Sequence, residues 1–156
     1  MKDVKIYTDG GCIGNPGPGG YGVVLLFGEH RRELSDGFKE TTNNRMELLA
    51  CIKGLEALKE RCRVNLYSDS KYVVDGISKG WAQRWQKNNW IRNKKTGDKA
   101  VNPDLWQRLL DLVKQHDVTM NWVKGHAGNK ENEVCDQLAN SAARSQPEQI
   151  DPGYPG

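Results

Sequence analysis

Apolar and polar positions alternate from Val4 to Gly10 in "VKIYTDG", the period of a strand with one covered face. "YGVVLLF", from Tyr21, is short and almost continuously apolar, which predicts a buried strand. "RRELSDGFKE", from Arg31, predicts a third strand, and short connections favour an antiparallel meander of the three. The period then changes. Leu48, Leu49, Ile52 and Leu55 recur at helical spacing and predict a helix over residues 44–60. "RVNLYSDS", from Arg63, is a short strand, and a helix follows over residues 70–78. In "NPDLWQRLLDLVKQH", Asn102 is placed as the N-cap and Pro103 as the first helical residue. "VTMNWV", residues 118–123, makes a fifth strand, and "ENEVCDQLANSAAR", from Glu131, a final helix. The order βββαβα…αβα implies an α/β fold, a mixed sheet with helices on its faces. Residues 1–144 carry this pattern as one domain. Residues 145–156, "SQPEQIDPGYPG", hold three prolines and read as a flexible C-terminal tail.

Composition narrows the class. Of 156 residues, 37% are hydrophobic and 28% charged, which fits a globular chain and excludes a disordered one. The longest apolar run, "VVLLF", is far too short to span a bilayer. "MKDVKIY" has no signal-peptide core, so the expectation is a cytoplasmic protein. The four cysteines, at 12, 51, 62 and 135, show no CxxC spacing and are expected as free thiols. Net charge is only +3, but between Arg84 and Lys99 six basic residues face one acid, Asp98. A local basic segment of that kind suits a polyanionic partner.

Two chemistries compete for the glycine-rich stretch that follows Asp9. Gly17, Gly19 and Gly22 match GxGxxG. A dinucleotide cradle needs a helix next, however, and "YGVVLLF" is a strand. The other reading makes Asp9 part of a carboxylate set. Asp9 ends a strand in "YTDG" and Asp69 ends one in "YSDS". Glu47 shares a helix stripe with Ala50, Cys51, Gly54 and Ala57. Asp136 shares one with Asn132, Cys135, Ala139, Asn140 and Ala143. Small side chains let a helix approach its neighbour closely, which places both acids away from a solvated face. Each acid alone is equally a cap or a surface charge. If the two strands are parallel neighbours, Asp9 and Asp69 converge beyond their carboxyl ends. Crowded carboxylates raise one another's pKa values, and a divalent cation with oxygen ligands, Mg²⁺ or Mn²⁺, resolves the conflict.

Taken together, "IYTDGGCIGNPGPGGYG", "TTNNRMELLA", "YSDSKYVVDGI", "NPDLWQRL" and "WVKGHAGNKENEVCDQLA" resemble bacterial-type ribonuclease HI from about Lys5 to Ala143. The resemblance implies a single-domain ribonuclease H-like fold, a five-stranded mixed sheet flanked by helices. It implies endonucleolytic hydrolysis of the RNA strand of RNA–DNA hybrids, leaving 5′-phosphate and 3′-hydroxyl ends. The cofactor it implies is Mg²⁺, with Mn²⁺ as a substitute, as one or two ions. The metal-binding acids fall on Asp9, Glu47, Asp69 and Asp136. The family histidine falls on His126, in a glycine-flanked loop, where it guides the attacking water or helps product leave.

By the same resemblance Gly10, Cys12, Asn15, Asn43 and Asn44 line the minor groove, where ribose 2′-hydroxyls are read. Thr42 and Asn102 belong to a DNA-phosphate pocket. Glu40 departs from the family arginine at its position and opposes phosphate there. Lys71 stands where a glutamine is familiar, and its cation reaches toward a phosphate near the site. Trp81, Trp85 and Lys87 lie in or beside the basic segment as further substrate candidates, with packing as the alternative role of the two tryptophans. A hybrid-binding module without catalysis and a DNA-cutting relative are the competing functions. The four acids oppose the first, and the asparagine pair with its glycine loop opposes the second. No exposed heptad or large apolar face calls for an obligate protein partner, and the expectation is a monomer.

Overall fold

A computed structural model describes residues 1–125 and 128–154. Strands β1 (Lys2–Cys12), β2 (Gly17–Phe27) and β3 (His30–Thr41) form the antiparallel meander. Then follow α1 (Asn43–Glu56), β4 (Cys62–Ser68), α2 (Lys71–Ser78) and α3 (Trp81–Lys87). A short hairpin, β5 (Ile91–Asn93) with β6 (Asp98–Lys99), leads to α4 (Pro103–Gln115), β7 (Asp117–Trp122) and α5 (Lys130–Arg144). The main sheet has five strands in the order β3-β2-β1-β4-β7, with β4 parallel to both β1 and β7. This is the mixed sheet that the element order predicts.

Two helices hold the two faces of that sheet. Gly54 of α1 lies so close to β1 and β2 that a Cβ there would meet Ile6 and Val23. On the other face a Cβ on Gly22 would come within 2.3 Å of the Cys135 carbonyl of α5. The small-residue stripes thus do what their spacing suggests: they bring both helices down onto the strands. Ile6, Val23, Leu25, Leu48, Ile52, Leu55, Leu66, Trp106 and Leu109 are buried between α1, α4 and the sheet. Helix α1 stops at Glu56 rather than running to residue 60. Beyond Leu55 the chain offers Lys59, Glu60 and Arg61, which have nothing to bury, and the Leu58 N–H tightens back onto the Leu55 carbonyl at 3.1 Å. Helix α3 and the β5–β6 hairpin are too short for a periodic signal to have marked them. Among the described residues no helix is long and apolar enough to cross a membrane.

The segment that composition marks as a tail makes specific contacts as far as Tyr154. Lys39 N–H donates to the Gln149 carbonyl at 2.7 Å, and Gln149 Nε2 donates to the Gly37 carbonyl at 3.0 Å. These bonds lie along β3, an outer strand of the sheet.

Candidate active site

The pairing of β1 with β4 sets the geometry. Tyr7 stands opposite Tyr67 in the parallel register, and their rings stack with centroids 4.6 Å apart. Asp9 and Asp69 each lie two residues further on, so the register brings them side by side. Past this point β1 continues to pair with β2 as far as Cys12, while β4 ends at Ser68. The strands part, and a crevice opens at their carboxyl ends, the usual ligand position in such sheets. Helix α1 closes one wall. A Cβ on Gly10 would fall 2.3 Å from the Met46 backbone, so only glycine admits this approach. The Gly10 N–H lies 2.9 Å from Asp9 Oδ1 and 3.3 Å from Glu47 Oε1, donating to both. Carboxylate oxygens of Asp9, Glu47 and Asp69 lie within 4.8 Å of one another. Asp136, on α5, lines the same small cavity with Asp9, Asp69, Gly125, Asn129, Asn132 and Glu133.

These charges are not at ease. Burial pushes the Asp9 pKa up to about 7, helped by the charge of Asp69 and by contact with Asp136. Burial, then the charges of Asp9 and Asp69, drives Glu47 well above the carboxylate range. Glu47 is 8% exposed, and its Oε2 is buried with no hydrogen-bond partner among the described residues. A hard divalent cation fits this donor set: all oxygen, densely negative, with one oxygen left unsatisfied.

The structure sorts the remaining candidates. Asn43 Oδ1 accepts from the Cys12 N–H at 2.8 Å, and Asn15 Oδ1 accepts from the Asn43 N–H at 3.1 Å. The glycine-rich loop is therefore tied to the start of α1, and Gly10, Cys12, Asn15 and Asn43 form one surface beside the acids, with Asn44 exposed next to them. Thr42 caps α1 through its side chain, accepting from the Arg45 N–H at 3.3 Å. Asn102 does not cap α4 with its side chain as its position suggests. It adopts φ 60°, and its Oδ1 accepts from Arg45 Nη1 at 3.2 Å. Lys71 is the first residue of α2, two positions after Asp69, with its ammonium over the Trp122 ring. Trp85 packs edge-on against Trp106 with centroids 5.9 Å apart, a core role. Trp81 carries Lys79 over its ring at 5.5 Å. Lys87 is exposed on α3, as are residues 92–99 of the basic segment. His126 lies outside the described residues.

Sequence patterns gave no sign of two features beside the site. Arg45, on the turn of α1 that also bears Glu47, is buried and fully occupied. Its guanidinium donates to Asp151 at 2.6 and 3.0 Å and to Asp104 at 2.7 and 3.0 Å, besides Asn102. Thr41 Oγ1 also donates to Asp151 at 2.7 Å. The second feature is Trp122, whose Nε1 donates to the Asp69 carbonyl at 3.1 Å.

Residues 1–144 match the RNase H family. A ribonuclease H of Syntrophus aciditrophicus is 66% identical over 155 residues, covering 99% of this chain and 88% of the relative. A ribonuclease HI of Synechocystis sp. is 56% identical, covering 98% of this chain and 95% of its own. Among solved structures, LC9-RNase H1, described as a type 1 RNase H with the type 2 active-site motif, superposes with a TM-score of 0.82. It is 35% identical, with 94% of this chain and 74% of that one covered. LC11-RNase H1 in complex with RNA/DNA hybrid superposes with a TM-score of 0.65 at 25% identity, over 90% of this chain and 96% of that one. The chain belongs to the RNase H family, as one of its bacterial type 1 enzymes. It is an endonuclease that hydrolyses the RNA strand of RNA–DNA hybrids.

Proposed function

We propose that this hydrolysis is carried out on Asp9, Glu47, Asp69 and Asp136 as ligands of divalent metal, Mg²⁺ with Mn²⁺ as a substitute, leaving 5′-phosphate and 3′-hydroxyl ends. The observation that carries the reading is the cluster of carboxylate oxygens within 4.8 Å, one of whose members keeps a buried oxygen unsatisfied. When bound, one or two such ions neutralise the acids, activate a water and stabilise the leaving oxygen of a phosphodiester. The chain's own residues do the rest. Asp9 and Glu47 are held in place by the Gly10 N–H they share. Gly10, Cys12, Asn15, Asn43 and Asn44 present backbone and amide groups to ribose hydroxyls. Thr42 and Asn102 meet the DNA strand's phosphates, and Lys87 adds charge from the same helix that begins with Trp81. His126 guides the attacking water or eases product release. The reading also makes the protein a cytoplasmic monomer with no obligate partner.

The test offers the purified protein an RNA–DNA hybrid, duplex RNA and duplex DNA, each with Mg²⁺, Mn²⁺ or chelator. Hybrid-only cleavage that chelator abolishes and Mg²⁺ restores is expected, with 5′-phosphate on the products. Unchanged hybrid cleavage by Asp9→Asn would sink the metal assignment.

A further inference from the structure

Trp122 closes β7 and is 45% exposed, whereas the other exposed large hydrophobic residues, Met1, Ile13, Val101 and Ile150, include no aromatic ring. An indole left in water beside an acid cavity calls for a reason. The ring is fixed from several sides. Its Nε1–H donates to the Asp69 carbonyl at 3.1 Å, and the next residue, Val123, donates its N–H to the Ser68 carbonyl at 2.9 Å. Over its face, 4.6 Å from the centroid, lies the ammonium of Lys71. Lys71 makes no ion pair among the described residues, although it stands only two residues from Asp69.

That last fact needs a cause. A lysine stem samples many rotamers, and a lysine only two residues from Asp69 has a carboxylate among the partners it could take. The ring supplies a competing site for the cation. A lysine collapsed onto the acids would be neutralised and would crowd out metal. A lysine held on the indole stays out of an ion pair, on a ring whose Nε1–H is bonded to the carbonyl of Asp69, a residue lining the cavity. The substrate brings phosphates to this cavity, and four acids repel them. A cation kept apart from those acids is what that polyanion can use.

We propose that Trp122 is a positioning residue that holds Lys71 as a fixed phosphate-binding cation for the RNA strand at the mouth of the acid cavity. The inference rests on the nuclease reading above. The RNA strand is specified because Lys71 sits on the ring that bonds to Asp69, one of the acids where the cut strand must lie.

The experiment measures kcat, KM and the salt dependence of KM on a hybrid for Lys71→Ala, Trp122→Leu, Trp122→Phe and the Lys71→Ala/Trp122→Leu double variant. Lys71→Ala raises KM about three- to ten-fold and lowers the salt slope by about one contact, with kcat little changed. Trp122→Leu, which keeps an apolar side chain but removes the π face, raises KM about two- to five-fold. The double variant matches Lys71→Ala alone, because the ring acts only through the lysine. Trp122→Phe recovers most of the loss. A neutral methylphosphonate near the cleavage point in the RNA strand weakens the wild type more than Lys71→Ala. Additive single effects, a salt slope unmoved by Lys71→Ala, or sensitivity to the neutral linkage only in the DNA strand each overturn the proposal. A wild type that cuts no hybrid overturns the nuclease reading instead, before any variant is compared.

Discussion

Arg45 and Glu47 sit two residues apart on one helix, and each anchors a buried cluster of charge. The clusters are built on opposite terms. Around Arg45, five N–H donors meet the carboxylates of Asp104 and Asp151 and the amide oxygen of Asn102. Around Glu47, acids meet acids, and Oε2 is left without a partner among the described residues. A buried guanidinium with all its donors used needs nothing from outside. A buried carboxylate among carboxylates does. The difference separates a part of the fold that is complete from a part that waits for a ligand, and it does so within a single turn of α1.

The sharpest way to break that contrast is Asp9→Asn. It should lower hybrid cleavage by about 10³-fold or more, since several kcal/mol of metal-dependent stabilisation go with it. It should also raise the melting temperature of the metal-free protein, because it removes repulsion. A melting temperature that falls would mean that the acid cluster is as self-sufficient as the Arg45 cluster.

Asp151→Ala is the matching cut on the other side. It leaves Arg45 buried with part of its charge uncompensated, at a cost of about 3–5 kcal/mol. For a chain of this size that lowers the melting temperature by about 2–4 °C per kcal/mol. Denaturant and thermal unfolding measure it directly. A loss under about 1 kcal/mol would show that Arg45 is not held from the C-terminal segment.

The two clusters should also answer pH with opposite sign. Burial opposes ionisation of Asp151, but the hydrogen bonds from Arg45 and Thr41 outweigh it and hold its pKa below the usual carboxylate value. The hydrogen bond from Arg45 lowers Asp104 as well. Their stabilisation is therefore present above the ordinary carboxylate pKa and disappears as pH falls through the depressed values. Asp9 and Glu47 are raised, so the metal-free fold gains from them below the ordinary carboxylate values and loses that gain as pH climbs through the raised ones, about 7 for Asp9. Melting curves between pH 3 and 9 (a range set about the carboxylate values) should show Asp151→Asn flattening the acid limb and Asp9→Asn the alkaline limb. Mg²⁺ should restore stability on the alkaline side of the wild type only.

The smallest effect expected is that of Asp104→Asn. The Asp104 side chain is 45% exposed against 5% for Asp151, and both pair with the same guanidinium. Solvent screening leaves the exposed pair about 0–1 kcal/mol. Unfolding free energies of the two variants side by side decide whether burial, rather than pairing alone, gives the Arg45 cluster its strength.

How much of this was legible beforehand depends on the range of the signal. Asp9 and Asp69 stand where strand patterns stop, and Glu47 and Asp136 sit on small-residue helix stripes. Both signals are local, a few residues wide, and the four acids could be picked out as a set from them. Asn102 stands at the N-cap position of α4 as its neighbours suggest, yet its side chain turns to Arg45 rather than to the helix. Trp122 read as one more residue in "VTMNWV". Its partner, Lys71, is brought to it by the pairing of β4 with β7. Asp151 lies 106 residues from Arg45 in a segment whose prolines and glycine suggest no docking.

The amino-acid sequence by itself determined the periodicities, and through them the main strands and helices and the acids on their close-packed faces, although β1 runs three residues past Asp9 and the short α3 and β5–β6 carry no period. Only the tertiary structure decided the register that sets Asp9 beside Asp69, the choice of Asp151 as the partner of Arg45, and the placing of Lys71 on an indole rather than on the acids. The reason is physical. Helical and strand periods are dictated by backbone geometry over a few residues, whereas the compensation of a buried charge depends on which distant groups the folded chain brings within hydrogen-bonding distance.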